Sequence, residues 1–168
     1  MYKITDSNYY LPYINASIGM SSFKTGTNKP MLIRGIDSIK QTMGDYVIKY
    51  KKSPRMSEES SCRELIAAFI AKELNISVIE PVIINISTDF VETLKGRDEF
   101  SYANNSKGIN FGSLYISSAS TYLIDQRLND NELIQAESIF AFDIFISNPD
   151  RNRNKPNLMN NGTNLIIF

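Results

Sequence analysis

The feature that most constrains this chain is an apolar helical run that ends at a proline. Residues 133–146 carry large apolar side chains on nearly every turn, and Asn129 with Glu132 supplies a helix start signal in front of them. Because Pro149 disfavours helical geometry at Asn148, the helix must end there. A helix that is apolar nearly all round is expected to be buried on most sides. The sequence therefore predicts that this helix is part of a core.

A β-hairpin is predicted directly after this helix and the polar loop that follows it. The Asn-Gly pair at 161–162 is a strong turn signal, and it lies between Leu158-Met159 and the apolar residues 165–168. Further strands are predicted upstream, over residues 31–33, 46–50, 76–86 and 109–116, whereas residues 87–108 are expected to form a polar loop. Strands thus outnumber helices in the predicted order.

The strand at residues 46–50 places a lysine among apolar neighbours. A period of two puts Tyr46, Ile48 and Tyr50 on one face and Lys49 on the other. Lysines also occur on edge strands, where they prevent aggregation, and that interpretation stays open here.

A second helix is predicted over residues 61–74. Ser61 and Glu64 have the spacing of a capping box, which would occupy the Glu64 carboxylate. Glu64 also lies on a stripe of alanines that would direct its side chain toward whatever packs opposite. The two roles of Glu64 exclude each other.

Composition excludes several classes of chemistry. The 168 residues contain no His and a single Cys, so a Ser-His-Asp triad, a His-ligated zinc and an internal disulfide are all excluded. No apolar run has the length of a membrane span, so we expect a cytoplasmic protein with no membrane contact. Catalysis would depend on carboxylates, amides, lysines and bound ions.

Charge is segregated along the chain although the formal net charge is zero. Residues 1–55 carry nine Lys/Arg against three Asp/Glu, residues 56–143 six against fourteen, and residues 144–168 three against one. Basic ends of this kind suit a small polyanion such as a nucleotide, or they form an ordinary solvated surface. Direct nucleic-acid binding is not expected, because it needs a net basic footprint.

The loop at residues 148–157 carries the most informative set of polar side chains. Asp150 follows the apolar helix and is surrounded by basic and amide residues, with Pro149 and Pro156 restricting the backbone. Its carboxylate could accept a proton from a hydroxyl, while an amide oxygen a few residues further could ligate magnesium. A purely structural role for Asp150, in capping or in an Asx turn with the amides that follow, is the alternative.

These motifs resemble the HipA-like kinases of bacteria, which have a protein-kinase-like fold. The resemblance covers roughly residues 24–168 and is carried by Asn148-x-Asp150-Arg151, Pro156-Asn157-Leu158-Met159, the Asn-Gly hairpin, Tyr46-Val47-Ile48-Lys49 and Arg63-Glu64-Leu65-Ile66-Ala67. It implies an α+β, two-lobed fold. Residues 1–116 would form a β-rich N-terminal ATP-binding lobe with one main helix. Residues 117–168 would begin a helical C-terminal lobe that holds the catalytic loop and the hairpin.

The resemblance also implies roles for individual residues. Asp150 would be the catalytic base and Asn157 the magnesium ligand, with Asn154 as a rival for that ligand. Lys49 would contact the ATP phosphates and be held by Glu64, although Lys51 and Lys52 compete with it. Residues 112–118 would form the hinge against adenine, and the backbone amides of a turn would cover the phosphates; that turn contains Gly26, Thr27 and Asn28.

The implied reaction is transfer of the γ-phosphoryl group of ATP–Mg²⁺ to a hydroxyl, with Ser or Thr of a protein as the substrate. An antitoxin-like protein is a further implied partner. Family members carry a second metal-binding Asp after the strand that corresponds to residues 165–168, and the sequence ends at Phe168. We therefore expect these residues alone to be a truncated and inactive portion of such an enzyme. A non-catalytic nucleotide-binding or partner-docking module with the same fold is the alternative.

Overall fold

The structure, a computed structural model, describes residues 3–23, 29–54, 56–123 and 125–168. This part of the chain is mixed α and β and richer in strands than in helices, as predicted. The elements in chain order are β1 Tyr13–Ser22, β2 Met31–Asp37, β3 Met43–Lys49, α1 Glu58–Glu73, β4 Pro81–Ile86, α2 Thr88–Glu92, α3 Phe100–Asn105, β5 Gly108–Leu114, β6 Ser120–Thr121, α4 Asp130–Phe145, β7 Leu158–Asn160 and β8 Leu165–Ile167.

The chain divides into two compact units. The first, which we call the barrel unit, comprises residues 10–66 and 80–115. The second, which we call the hairpin unit, comprises residues 1–9, 67–79 and 116–168. The predicted lobe division between residues 116 and 117 stays a prediction.

The barrel unit is built on a closed five-stranded barrel with the strand order β1-β2-β3-β5-β4. The β1–β4 pair is parallel and the other pairs are antiparallel. Tyr46, Ile48 and Tyr50 are buried in its core, so the predicted alternation of this strand is confirmed. Gly112 of β5 allows the close approach of β3, since a Cβ there would lie 2.7 Å from the Val47 carbonyl oxygen.

Two sequence-based expectations for this part of the chain are only partly confirmed. The strand predicted over residues 76–86 begins only at Pro81, which suits the first position of a strand because proline has no N–H to donate. The polar loop predicted over residues 87–108 contains α2 and α3. Ser87 caps α2 by accepting a 3.0 Å hydrogen bond from the Phe90 amide, and Phe90 is buried in the barrel core. A few buried apolar residues thus fold a segment that is polar on average.

The hairpin unit is organised around α4 and the β7–β8 hairpin. The predicted start of α4 is confirmed, because Asn129 and Glu132 form a reciprocal capping box. The predicted hairpin is also present, with β7 antiparallel to β8 and β6 added alongside β7. The core of the unit consists of Ala68, Ala71, Ile76, Val78, Ile139, Phe142, Leu165 and Ile167. Within the described ranges, no helix is long and apolar enough to cross a membrane.

The expectation that α4 is buried on most sides is wrong. Ile139 and Phe142 are buried, but five large apolar side chains on the rest of the helix are between 49% and 71% exposed. These are Leu133, Ile134, Phe140, Ile144 and Phe145. The reason is that one stripe of the helix packs into the core of the hairpin unit.

Candidate functional site

Lys49 and Glu64 form an ion pair in the barrel unit. Lys49 ends β3 on the outer face, and its Nζ lies 2.6 Å from Oε2 of Glu64 on α1. The two side chains are 25% and 33% exposed, so the pair is partly shielded from water. The Lys49 ammonium also lies 5.6 Å from the ring centroid of Phe111, its neighbour on β5. The lysine head is thus held from two sides.

Glu64 is available for this pair because another residue caps α1. The helix begins at Glu58, and Ser57 and Ser60 exchange hydrogen bonds between each amide and the other hydroxyl, at 2.7 and 3.1 Å. Ser61 donates its hydroxyl to the Ser57 carbonyl instead. The capping box predicted for Ser61 and Glu64 is therefore wrong, and the carboxylate is directed at the lysine.

The neighbouring lysines have other surroundings. Lys51 lies 3.8 Å from the exposed carboxylate of Glu58, and the Lys52 amide donates to Ser106 Oγ. Because β3 is paired on both sides within a closed barrel, the interpretation of Lys49 as an edge-strand lysine is wrong. Among these three lysines, Lys49 has the closest carboxylate.

In the hairpin unit, the structure brings Asp150 and Asn157 together. The Asn157 amide nitrogen Nδ2 lies 3.3 Å from Asp150 Oδ2 and 3.3 Å from the Asp150 carbonyl oxygen. Lys155 Nζ lies 3.7 Å from Asp150 Oδ1, and the Asp150 side chain is 68% exposed. A solvent-accessible carboxylate can accept a proton, and the oxygen of a neighbouring amide can ligate a cation.

The local turn does not depend on the Asp150 carboxylate. Asn148 accepts the Asp150 amide proton through Oδ1 at 3.1 Å, so Asn148 is the residue that makes the Asx turn. Asn152 makes a second Asx turn, in which its Oδ1 accepts from the amides of Asn154 and Lys155. Asn154 is exposed on this second turn, whereas Asn157 contacts Asp150.

The ion pair between Asp143 and Arg151 is a feature of this loop that sequence reasoning missed. Arg151 Nε lies 2.8 Å from Asp143 Oδ2, and the two side chains are only 11% and 13% exposed. Asp143 also accepts from Asn148 Nδ2 at 2.9 Å, and Arg151 donates to the carbonyl oxygens of Pro156 and Asn157. The available signal was Asp143, the one carboxylate among the apolar residues 139–146.

The predicted phosphate-covering residues Gly26, Thr27 and Asn28 lie outside the described residues. The end of β1 that precedes them is held by α3 and the segment before it. Ser22 Oγ donates to Glu99, and Arg97 donates to the carbonyl oxygens of Gly19 and Met20. The Ser22 hydroxyl lowers the pKa of Glu99, and Arg97 acts in the same direction, so this carboxylate is charged at neutral pH.

The predicted adenine hinge begins at the end of the barrel. Residues 112–114 belong to β5, and the Tyr115 amide donates to the Asp45 carbonyl oxygen at 2.9 Å. The hinge role of residues 112–118 stays a prediction.

The donors around Asp150 fit a magnesium ion that is bound together with a nucleotide. Among the residues that the structure describes, no group of three or more His, Cys, Asp or Glu side chains forms an all-protein metal cage. Magnesium in nucleotide sites needs no such cage, because it binds one or two protein oxygens together with waters and phosphates. The amide oxygen of Asn157, whose nitrogen contacts Asp150, can supply one such group.

Comparison with known families finds one family model that covers most of the chain. The sequence profile of the HipA-like kinase family matches residues 20–167. The chain therefore belongs to the HipA-like kinase family, and kinase is the class of protein to which it is assigned. Comparisons with curated proteins and with solved structures found no match.

Proposed function

We propose that this protein binds ATP with Mg²⁺ and transfers the γ-phosphoryl group to the hydroxyl of a protein Ser or Thr. Family membership supports a kinase, and the proposal adds the nucleotide and the acceptor. The observation that carries it is the ion pair between Lys49 and Glu64, formed by a carboxylate that helix capping leaves available. An ammonium held in this way is a preorganised anion contact.

In this proposal Lys49 contacts the α- and β-phosphates. Its side chain loses conformational freedom through the Glu64 carboxylate and the Phe111 ring, so less entropy is lost when the phosphates bind. Glu64 orients the lysine and does not itself contact ATP.

Asp150 is the proposed base that orients and deprotonates the acceptor hydroxyl. Lys155 lies near Oδ1 and Asn157 contacts Oδ2, but the side chain is 68% exposed, and each carboxylate oxygen keeps a second lone pair that can accept from a hydroxyl. Asn157 would hold the magnesium ion, which when bound neutralises charge that develops on the phosphoryl oxygens. The proposed overall fold is the two-lobed kinase arrangement, and an antitoxin-like partner remains a prediction.

Calorimetric titration of the full-length natural protein with ATP and MgCl₂, followed by transfer of label from γ-labelled ATP to protein or water, tests the proposal. We expect Lys49→Met to weaken ATP binding at least tenfold, because it removes the phosphate contact. Lys52→Met is the matched control, since Lys52 is an exposed lysine on the same segment, and it should bind ATP like the wild type.

Asp150→Asn should bind ATP normally and transfer phosphate about 10²-fold more slowly or worse, the usual effect of losing a general base. Equal transfer by Asp150→Asn and wild type would contradict the base assignment, and equal ATP affinity of the two lysine variants would contradict the phosphate contact. ATP binding by the wild type without any transfer would replace the kinase with a non-catalytic nucleotide-binding module.

A further inference from the structure

We propose that Asp143 and Arg151 are positioning residues that fix the spacing between Asp150 and Asn157. The proposal rests on the function proposed for those two residues. Neither Asp143 nor Arg151 would contact substrate; they would act by holding the backbone that carries the reacting groups.

Asp143 is the shared acceptor for residues on both sides of Asp150. It accepts from Asn148 Nδ2 through Oδ1 at 2.9 Å and from Arg151 Nε through Oδ2 at 2.8 Å. Its own carbonyl oxygen accepts the Asn148 amide at 2.8 Å. Because Asp143 lies on α4, these bonds attach the short segment 148–151 to a regular helix, which is a rigid support.

Arg151 extends the same support to the other end of the loop. Its guanidinium bonds Asp143 through Nε, and its Nη1 donates to the carbonyl oxygens of Pro156 and Asn157. One planar group therefore spans from the residue after Asp150 to the backbone of Asn157. The fixed fork of arginine makes this possible, and lysine cannot reproduce it.

The backbone at both ends of the loop is in an unfavourable conformation. Ser147 has φ 54° and Asn157 has φ 44°, the left-handed region that serine rarely adopts and that asparagine adopts more readily. Such conformations persist where surrounding contacts over-determine them, and they cluster at functional sites. The contacts here are the bonds of Asp143 to Asn148, which follows Ser147, and the bond of Arg151 to the Asn157 carbonyl.

Burial makes the pair sensitive to single changes. With side chains 11% and 13% exposed, removal of one partner leaves an uncompensated charge that is largely shielded from water. If the two residues are swapped, so that Arg stands at position 143 and Asp at position 151, one positive and one negative charge remain at the site. The double variant Asp143→Arg/Arg151→Asp is therefore a test of whether charge alone or the observed geometry matters.

Hydrogen–deuterium exchange and steady-state kinetics on the purified full-length natural protein test the proposal together. Asp143→Asn keeps an acceptor for Asn148 and loses the charge, and Arg151→Lys keeps the charge and loses the fork. For both variants we expect amide exchange in residues 148–157 to rise at least tenfold while residues 158–167 keep wild-type protection. Phosphate transfer should fall at least tenfold in kcat, with the KM for ATP within twofold of wild type. The double variant Asp143→Arg/Arg151→Asp should not restore phosphate transfer, because it lacks the bonds to Asn148, Pro156 and Asn157.

Glu137→Gln is the control, since Glu137 is an exposed acid on the same helix, and it should match the wild type in both measurements. Unchanged exchange in residues 148–157 for both single variants would overturn the proposal, as would an equal rise of exchange throughout the hairpin unit, which would indicate a general stabilising role. Recovery of wild-type transfer by the double variant would overturn the geometric part. Absence of transfer by the wild type would count against the proposed function instead, and the exchange measurement would still decide the positioning role.

Discussion

Asp37 shows how a single buried residue makes the barrel unit sensitive to acid. Its side chain accepts hydrogen bonds from the Tyr10 hydroxyl and from the Ile39 and Lys40 amides, at 2.8, 2.8 and 3.0 Å. Burial by itself raises the pKa of Asp37, but these hydrogen bonds, led by the Lys40 amide, together outweigh it and lower the pKa below its usual value of 3.8.

We expect Asp37→Asn to remove the acid sensitivity that this carboxylate contributes. A group whose pKa is lower in the folded state stabilises the fold above its unfolded pKa, and this contribution is lost as the pH falls through the folded pKa. The wild type should therefore lose stability as the pH falls below 3.8, the usual pKa of an Asp side chain, whereas the variant should lose less. At pH 7 the variant should be less stable by about 1–2 kcal/mol, the effect of weakened hydrogen bonds to a charged group. Urea unfolding at pH 7 and at pH 3 measures both effects, and equal acid losses in the two proteins would contradict the prediction.

Element boundaries decide which polar groups are available for function, and α1 is the clearest case. The spacing of Ser61 and Glu64 matches a capping box, but the helix extends one turn further toward its N-terminus and is capped by Ser57. Local spacing cannot distinguish the two starts. The choice depends on contacts outside the helix, including the one between Glu64 and Lys49.

Ser57→Ala and Ser61→Ala form a matched pair that tests this boundary. Loss of the Ser57 cap should lower the free energy of unfolding by about 1 kcal/mol. Ser61 donates to a carbonyl four residues earlier, a bond that contributes little to helix stability, so its removal should change stability by less than about 0.5 kcal/mol. Urea denaturation of the three proteins gives the ranking, and a larger effect at Ser61 would restore the capping box predicted from the sequence.

At the scale of the whole molecule, the two units have separate cores. The buried residues of the barrel unit and those of the hairpin unit form two clusters that share no residue. Ile84 is 0% exposed in the first cluster and Ile139 is 4% exposed in the second. Substitutions in clusters with no common member are expected to act independently.

Ile84→Val and Ile139→Val should each destabilise the protein by about 1 kcal/mol, the usual effect of one lost buried methyl group. The double variant should be destabilised by the sum of the two effects within about 0.5 kcal/mol. A coupling energy above that, obtained from a double-mutant cycle of urea unfolding, would show that the two cores respond as one.

The sequence by itself determined the features that depend on neighbours along the chain. The alternation of β3, the capping box of Asn129 and Glu132 and the Asn-Gly hairpin were all readable there, because each is set by a few consecutive residues. Membership of the HipA-like kinase family was readable from the sequence as well. The same local signals picked out Lys49 and the loop that holds Asp150 and Asn157.

Only the tertiary structure decided which of these groups meet. The partner of Glu64, the one-sided burial of α4 and the pair of Asp143 with Arg151 all depend on surfaces brought together by folding. A carboxylate in a sequence has the same chemistry wherever its helix packs. Its function depends on the donor that the fold places within hydrogen-bonding distance, and for Glu64 and Asp143 that donor comes from a different element or from the loop that follows.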